Sequence, residues 1–109
     1  MGSLKNFITL KSSKEFNYIY KNSKAVHSQY FVIFYKKTRD KKVGFVSSKK
    51  IGNAVKRNRA KRRLRALFLL YSDKIPTGTY IFVAKKDILD ADFKKLKKVF
   101  EKLIFKVTK

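Results

Sequence analysis

The chain predicts a two-layered α/β or α+β fold, and three observations carry that reading. An almost uninterrupted aromatic and β-branched run occupies 29–35, further strand-like runs lie at 43–47 and 80–84, and segments of helical period precede, connect and follow them.

Taken in order, Ser12 followed by Glu15 has the spacing of a capping box. Phe16, Ile19 and Tyr20 then recur at helical intervals, which predicts a short amphipathic helix over 13–22. Its aromatic stripe fits core packing against a sheet. In Gln29-Tyr30-Phe31-Val32-Ile33-Phe34-Tyr35 the strand is apolar on both faces. Phe31, Ile33 and Tyr35 point one way and Tyr30, Val32 and Phe34 the other, so the second set needs another apolar layer or a ligand. The polar stretch 36–42 reads as a loop before the strand Val43-Gly44-Phe45-Val46-Ser47. A long helix over 53–71 follows, ended by the turn cluster Ser72-Asp73-Lys74-Ile75-Pro76-Thr77-Gly78, and Tyr80-Ile81-Phe82-Val83-Ala84 completes a βαβ unit. A last helix is expected from Asp90 or Ala91, with Phe93, Leu96, Val99, Phe100, Leu103 and Ile104 turned toward the sheet. Without an internal repeat, a low-complexity tract or a linker, residues 1–109 are expected to form a single domain.

A hydrophobic fraction of 44% can build one core, and aromatics at 15% argue against disorder. Lysine and arginine number 29 against seven acids, a formal charge of +22 that opposes compaction at low salt. A polyanion is the natural counterweight, nucleic acid first, because neutralising phosphates releases condensed counterions. No apolar run approaches the ~20 residues that span a bilayer, and the amino terminus lacks a secretory hydrophobic stretch. A cytoplasmic protein is expected. The absence of cysteine removes disulfides and thiolate metal sites, and His27, the lone histidine, reads as a surface or satisfied loop residue.

The most informative segment leads from a glycine turn straight into a helix crowded with cations. On a helical wheel Ala60, Leu64, Leu67, Phe68 and Tyr71 share one face, while Asn58, Arg59, Lys61, Arg62 and Arg65 sweep around the rest. Solvated charged faces usually mix signs, and no acid lies between Lys49 and Ser72. Arginine's planar fork grips phosphate oxygens and stacks on bases. Asn58 suits a base edge or a local backbone cap.

The run Val43-Gly44-Phe45-Val46-Ser47-Ser48-Lys49-Lys50-Ile51-Gly52-Asn53-Ala54-Val55-Lys56-Arg57-Asn58-Arg59-Ala60-Lys61-Arg62-Arg63-Leu64-Arg65 resembles the signature of the bacterial ribonuclease P protein family. The early helix with Phe16 and Tyr20, the aromatic strand, and Ile81-Phe82-Val83-Ala84-Lys85 extend the resemblance over nearly the whole chain. The resemblance implies an α+β two-layer sandwich, with a central mixed sheet packed by helices and a left-handed βαβ crossover, against the usual preference. It implies a protein cofactor that, with a catalytic RNA, promotes endonucleolytic removal of the 5′ leader of precursor tRNA. By similarity, Lys49, Lys50, Asn53, Arg57, Asn58, Arg59, Lys61, Arg62 and Arg65 contact the catalytic RNA. Phe16, Tyr20, Val32 and Phe34 line a cleft for the leader, where aromatics stack on unpaired bases. Three departures stand out: Asn22-Ser23 where a glycine is common, the apolar run Ala66-Leu67-Phe68-Leu69-Leu70, and Lys85 where an arginine is frequent.

The chain offers poor material for hydrolysis. Asp87, Asp90 and Asp92 have the look of a metal cluster but read more simply as a helix start, where acids complement the dipole and cap amides. The resemblance assigns catalysis to RNA and Mg2+ chiefly to that RNA, with no catalytic residue, protein-only metal site or obligate protein partner in this chain. Three rivals remain at this level: a structural RNA-binding protein, a protein-only nuclease built on Asp90 and Asp92, and condensation of DNA or membranes by charge alone.

Overall fold

The computed structural model describes residues 6–109, so Met1-Gly2-Ser3 lies outside the described residues. In chain order come β1 (Ile8–Thr9), α1 (Ser13–Asn22), β2 (Lys24–His27), β3 (Phe31–Lys36), β4 (Lys42–Ser47), α2 (Ala54–Tyr71), β5 (Thr79–Ala84) and α3 (Phe93–Val107). Single 3-10 turns at Lys49–Ile51 and Lys86–Leu89 precede α2 and α3.

The strands form one mixed sheet in the order β1-β4-β5-β3-β2. β1, β4 and β5 run parallel, and β3 pairs antiparallel with both β5 and β2. β4 and β5 are neighbours joined through α2, which is the expected βαβ unit. β1 and β2, which the sequence pattern did not mark, form the two edges. His27 is accordingly a surface residue, carried on an edge strand.

Alternation assigns the two sheet faces. Phe31, Ile33, Tyr35, Val43, Tyr80 and Phe82 meet the inner faces of α2 (Ala60, Leu64, Leu67, Phe68, Tyr71) and α3 (Leu96, Phe100, Leu103, Ile104, Val107) in the main core. Burial of each large side chain stabilises the fold by about 1.5–3 kcal/mol. Phe82 stacks on Phe100 at 5.4 Å and Tyr71 on Phe100 at 5.5 Å, so α2 and α3 share one aromatic seam. On the opposite face a smaller cluster gathers Leu10, Ile19 and Ile81, with Phe16, Phe34, Val46 and Val83 partly buried against it. The helical sandwich partner is thus α2 with α3, while α1 lies across part of the second face.

Tyr30 departs from the expected alternation. It joins the main core instead of the face of Val32 and Phe34. The cause is a turn at Ser28, whose Oγ accepts from the amides of Tyr30 and Phe31, both at 3.1 Å, so Tyr30 precedes the pleat of β3. The final helix also starts later than expected, at Phe93, with Asp92 as its cap. Ile88 and Leu89 enter the core from the 3-10 turn first.

Candidate nucleic-acid interface

The cationic surface begins where Ser48 caps the 3-10 turn by accepting from Lys50 N at 3.2 Å. Gly52 follows at φ 130°, in the left-handed region that a side chain resists. This reversal sets Asn53 as the cap of α2, its Oδ1 accepting from Lys56 N at 3.0 Å. The sequence-predicted Asn53 therefore first serves the helix, and its amide group remains at the exposed rim. Lys49, Lys50, Asn58, Arg59, Arg62 and Arg65 are exposed, while Arg57 and Lys61 are half-buried.

The charges on α2 run against its dipole. No acid occupies the first turn and no base the last, while Lys56 and Arg57 crowd the positive end. An isolated helix is stabilised by the reverse pattern, so α2 presents uncompensated positive charge at its amino end. Arg65 is partly pinned, its guanidinium 5.4 Å from the Phe45 ring centre. Asn58 is exposed and makes no side-chain hydrogen bond within the described residues, so it does not act as a local cap. Val55, 73% exposed, stands among these cations and carried no signal in the charge pattern. Arg63 is different in kind: it donates to the carbonyls of Leu89 and Ala91, tying α2 to the segment before α3.

The second surface lies on the other side of the sheet. Ser12 caps α1, its Oγ accepting from Glu15 N at 3.1 Å, and Glu15 pairs with Lys42 of β4 at 2.8 Å. The Lys42 ammonium holds the Glu15 carboxyl below its ordinary range, and Glu15 raises Lys42 in return. So anchored, α1 turns Phe16 and Tyr20 over the sheet. The Tyr20 ring meets Phe34 edge-on at 4.9 Å and Phe16 at 6.3 Å. Burial pushes the Tyr20 hydroxyl above the ordinary phenol range, so it stays neutral and able to donate.

Register extends this surface beyond the predicted four residues. Across β2-β3-β5-β4 one row reads Ala25, Phe34, Ile81, Gly44, and the next reads His27, Val32, Val83, Val46. Val32 is only 8% exposed and belongs to the floor, with half-buried Val83 and Val46 beside it. Phe16, Tyr20 and Phe34 form one wall. The pairing of β4 with β5 across a long crossover brings Val46 and Val83 here, and local periodicity could not supply that.

Two of the three acids in the suspected cluster already have uses. Asp92 caps α3 by accepting from Lys94 N at 3.2 Å, and Asp87 accepts from Gln29 Nε2 at 3.1 Å. Lys85, in the family's frequent arginine position, donates its Nζ to Ser28 O at 2.7 Å and so braces the turn that begins β3. The turn after α1 needs no glycine, because Ser23 continues extended at φ −122°, while Asn22 Nδ2 closes the helix on Tyr18 O at 2.8 Å. In the apolar run, Leu67 and Phe68 are buried and Leu70 is 46% exposed.

Known proteins match this arrangement along the chain. The family model described as Ribonuclease P matches residues 4–108. The ribonuclease P protein component of a Nitratiruptor species is 50% identical over 104 residues, 95% of either chain. That of a Thermoanaerobacter species is 41% identical over 105 residues, 94% of this chain and 90% of its own. Among solved structures, the Staphylococcus aureus RNase P protein superposes with a TM-score of 0.78 at 28% identity, over 93% of this chain and 97% of that one. The Thermotoga maritima RNase P protein gives a TM-score of 0.79 at 25% identity, covering 91% and 96%. With a cationic helix after a glycine turn, an aromatic cleft behind it, and agreement of sequence and fold from end to end, the chain belongs to the ribonuclease P protein family.

Proposed function

We propose that the two faces divide the work of a ribonuclease P protein component, which acts with the RNA subunit in maturing the 5′ ends of tRNA. Lys49, Lys50, Asn53, Arg57, Asn58, Arg59, Lys61, Arg62 and Arg65 bind the catalytic RNA. Phe16, Tyr20, Val32 and Phe34 bind the single-stranded leader of the precursor. The observation that carries this division is the placement of the cationic helix and the half-covered aromatic cleft on opposite sides of one sheet. One protein can then hold two RNA strands at once without the sites competing.

Catalysis belongs to the RNA in this reading. The protein lowers repulsion between two polyanions, and the leader contact favours precursor over product because the product lacks that segment. Magnesium is bound chiefly by the RNA subunit, and Asp87 and Asp92 serve Gln29 and the α3 amide. No helix among the described residues is long and apolar enough to cross a membrane. The RNA partner places the work in the cytoplasm, residues 1–109 act as one RNA-binding domain, and no obligate protein partner is assigned. The β4-α2-β5 crossover takes the family's left-handed sense.

The test is cleavage of a precursor tRNA by its matched catalytic RNA at low magnesium, with and without the protein. Stimulation that shrinks on a leader-trimmed precursor is expected. Equal stimulation of both substrates would overturn the leader assignment, and cleavage by protein alone would overturn the RNA's role as catalyst.

A further inference from the structure

α3 repeats, in lysine, the electrostatic pattern of α2. It carries Lys94, Lys95, Lys97, Lys98, Lys102 and Lys106 against a single acid, Glu101. All six lysines are exposed, and none is in an ion pair, the one pair among the described residues being Lys42 with Glu15. Lys94 and Lys95 stand in the first turn, where the helix dipole opposes cations. Lys94 with Lys98, Lys98 with Lys102, and Lys102 with Lys106 are like charges four residues apart, which repel. Glu101 lies beside Tyr71 of α2, whose hydroxyl is raised by burial and by that carboxylate.

The two cationic helices meet along a seam. At the start of α3, Arg59, Arg62, Ala66 and Phe93 border a shallow hollow of about 500 Å3, with Arg63 also on its rim but tied to the carbonyls of Leu89 and Ala91. Farther along, Tyr71, Lys94, Lys97, Lys98 and the single acid Glu101 border a second of about 420 Å3, where three ammonium groups outweigh one carboxylate. Cations therefore flank the seam at both hollows, with apolar Phe93 and Tyr71 between them.

We infer that the α2–α3 seam carries a phosphate backbone strand of the catalytic RNA, held by Arg59 and Arg62 on one side and Lys94, Lys97 and Lys98 on the other. This rests on the assignment of the α2 arginines to that RNA, and it extends the contact surface onto a second helix. Lysine is a point charge on a flexible stem, suited to phosphates and not to reading bases, so the contact is to backbone. The catalytic RNA is the occupant because Arg59 and Arg62 are shared with its face. The leader cleft lies across the sheet and cannot deliver its strand here.

The experiment uses the full chain and the matched catalytic RNA alone, with affinity measured over a range of salt. Three variants are compared: Lys94→Ala/Lys97→Ala/Lys98→Ala in the seam, Arg59→Ala/Arg62→Ala on α2, and Lys11→Ala/Lys37→Ala/Arg39→Ala as a distant removal of equal charge. Thermal melts verify that each folds; should the seam triple melt early, Lys97→Ala alone is read in its place. The seam triple is expected to flatten the slope of log affinity against log salt by about 2–3 units, the distant triple by less than about one. An unchanged slope in the seam triple, with a flattened one in the α2 double, overturns the seam and leaves the α2 assignment standing. Unchanged slopes in both overturn the α2 assignment as well. Equal flattening by the distant triple, or an effect of the seam triple only on precursor tRNA binding to the assembled complex, also overturns the seam.

Discussion

The Phe16 ring lies against Gly44: a Cβ added to that glycine would stand 2.6 Å from both Cε1 and Cζ of the ring. The glycine is needed for space, because α1 crosses β4 closely enough to seat an aromatic wall over the sheet. Gly44→Ala is expected to destabilise the protein by about 1–3 kcal/mol through overpacking and to displace the ring. It should also erode the preference for precursor over mature tRNA. Denaturant midpoints and paired tRNA affinities check both, and an unchanged midpoint with unchanged preference would show that the ring yields without consequence.

Tyr20 offers a cleaner probe of the cleft, since it is 37% exposed and rests edge-on against Phe34 at 4.9 Å. Stacking of one base on an aromatic is worth ~1–3 kcal/mol, so Tyr20→Ala should weaken precursor binding by roughly 5- to 150-fold at the lower and upper limits of that range. Mature tRNA binding should be unaffected. Equal losses for both RNAs would place Tyr20 outside the leader contact.

How far the site was legible in the sequence depends on which contacts are local. Ser12 and Asn53 cap the helices they were expected to open, because a cap acts within three residues. Phe16 and Tyr20 share one helix face, as the period requires, and their meeting with Phe34 is what the family resemblance implied. β2 escaped notice because Lys24-Ala25-Val26-His27 has only Val26 half-buried, and β1 because its Ile8 is 62% exposed. Both are strands only by virtue of their neighbours' hydrogen bonds, a long-range property. Val46 and Val83 join the cleft through the register of β4 with β5, again invisible to spacing.

The Glu15–Lys42 pair predicts a pH dependence that can be worked out by sign. Lys42 holds the folded-state carboxyl below its ordinary 4.5, so the pair stabilises the fold above that value. That contribution is lost as pH falls through the depressed folded value. As pH falls below about 4.5 the wild-type melting temperature should therefore drop further than that of Glu15→Gln, which has no such carboxylate to protonate. Because the pair is partly open to solvent, the difference should also shrink in high salt. Parallel acid profiles for the two proteins would show that the pair adds nothing to stability.

Arg63 should separate stability from RNA binding on the same helix. It sits in the cationic run, yet its guanidinium donates to Leu89 O and Ala91 O and so fixes the chain between the 3-10 turn and α3. Hydrogen bonds from a charged donor contribute about 1.5–3 kcal/mol each at most, and two carbonyls here would lose their partner together. Arg63→Ala is expected to cost about 2–4 kcal/mol in chemical denaturation, while the salt slope of catalytic RNA binding changes by less than about half a unit. Arg63→Lys should recover only part of the stability, because one ammonium replaces a planar fork that reaches both carbonyls. The reverse outcome, a flattened salt slope with stability intact, would make Arg63 a phosphate contact and leave the anchoring of α3 to the aromatic seam of Tyr71 and Phe100.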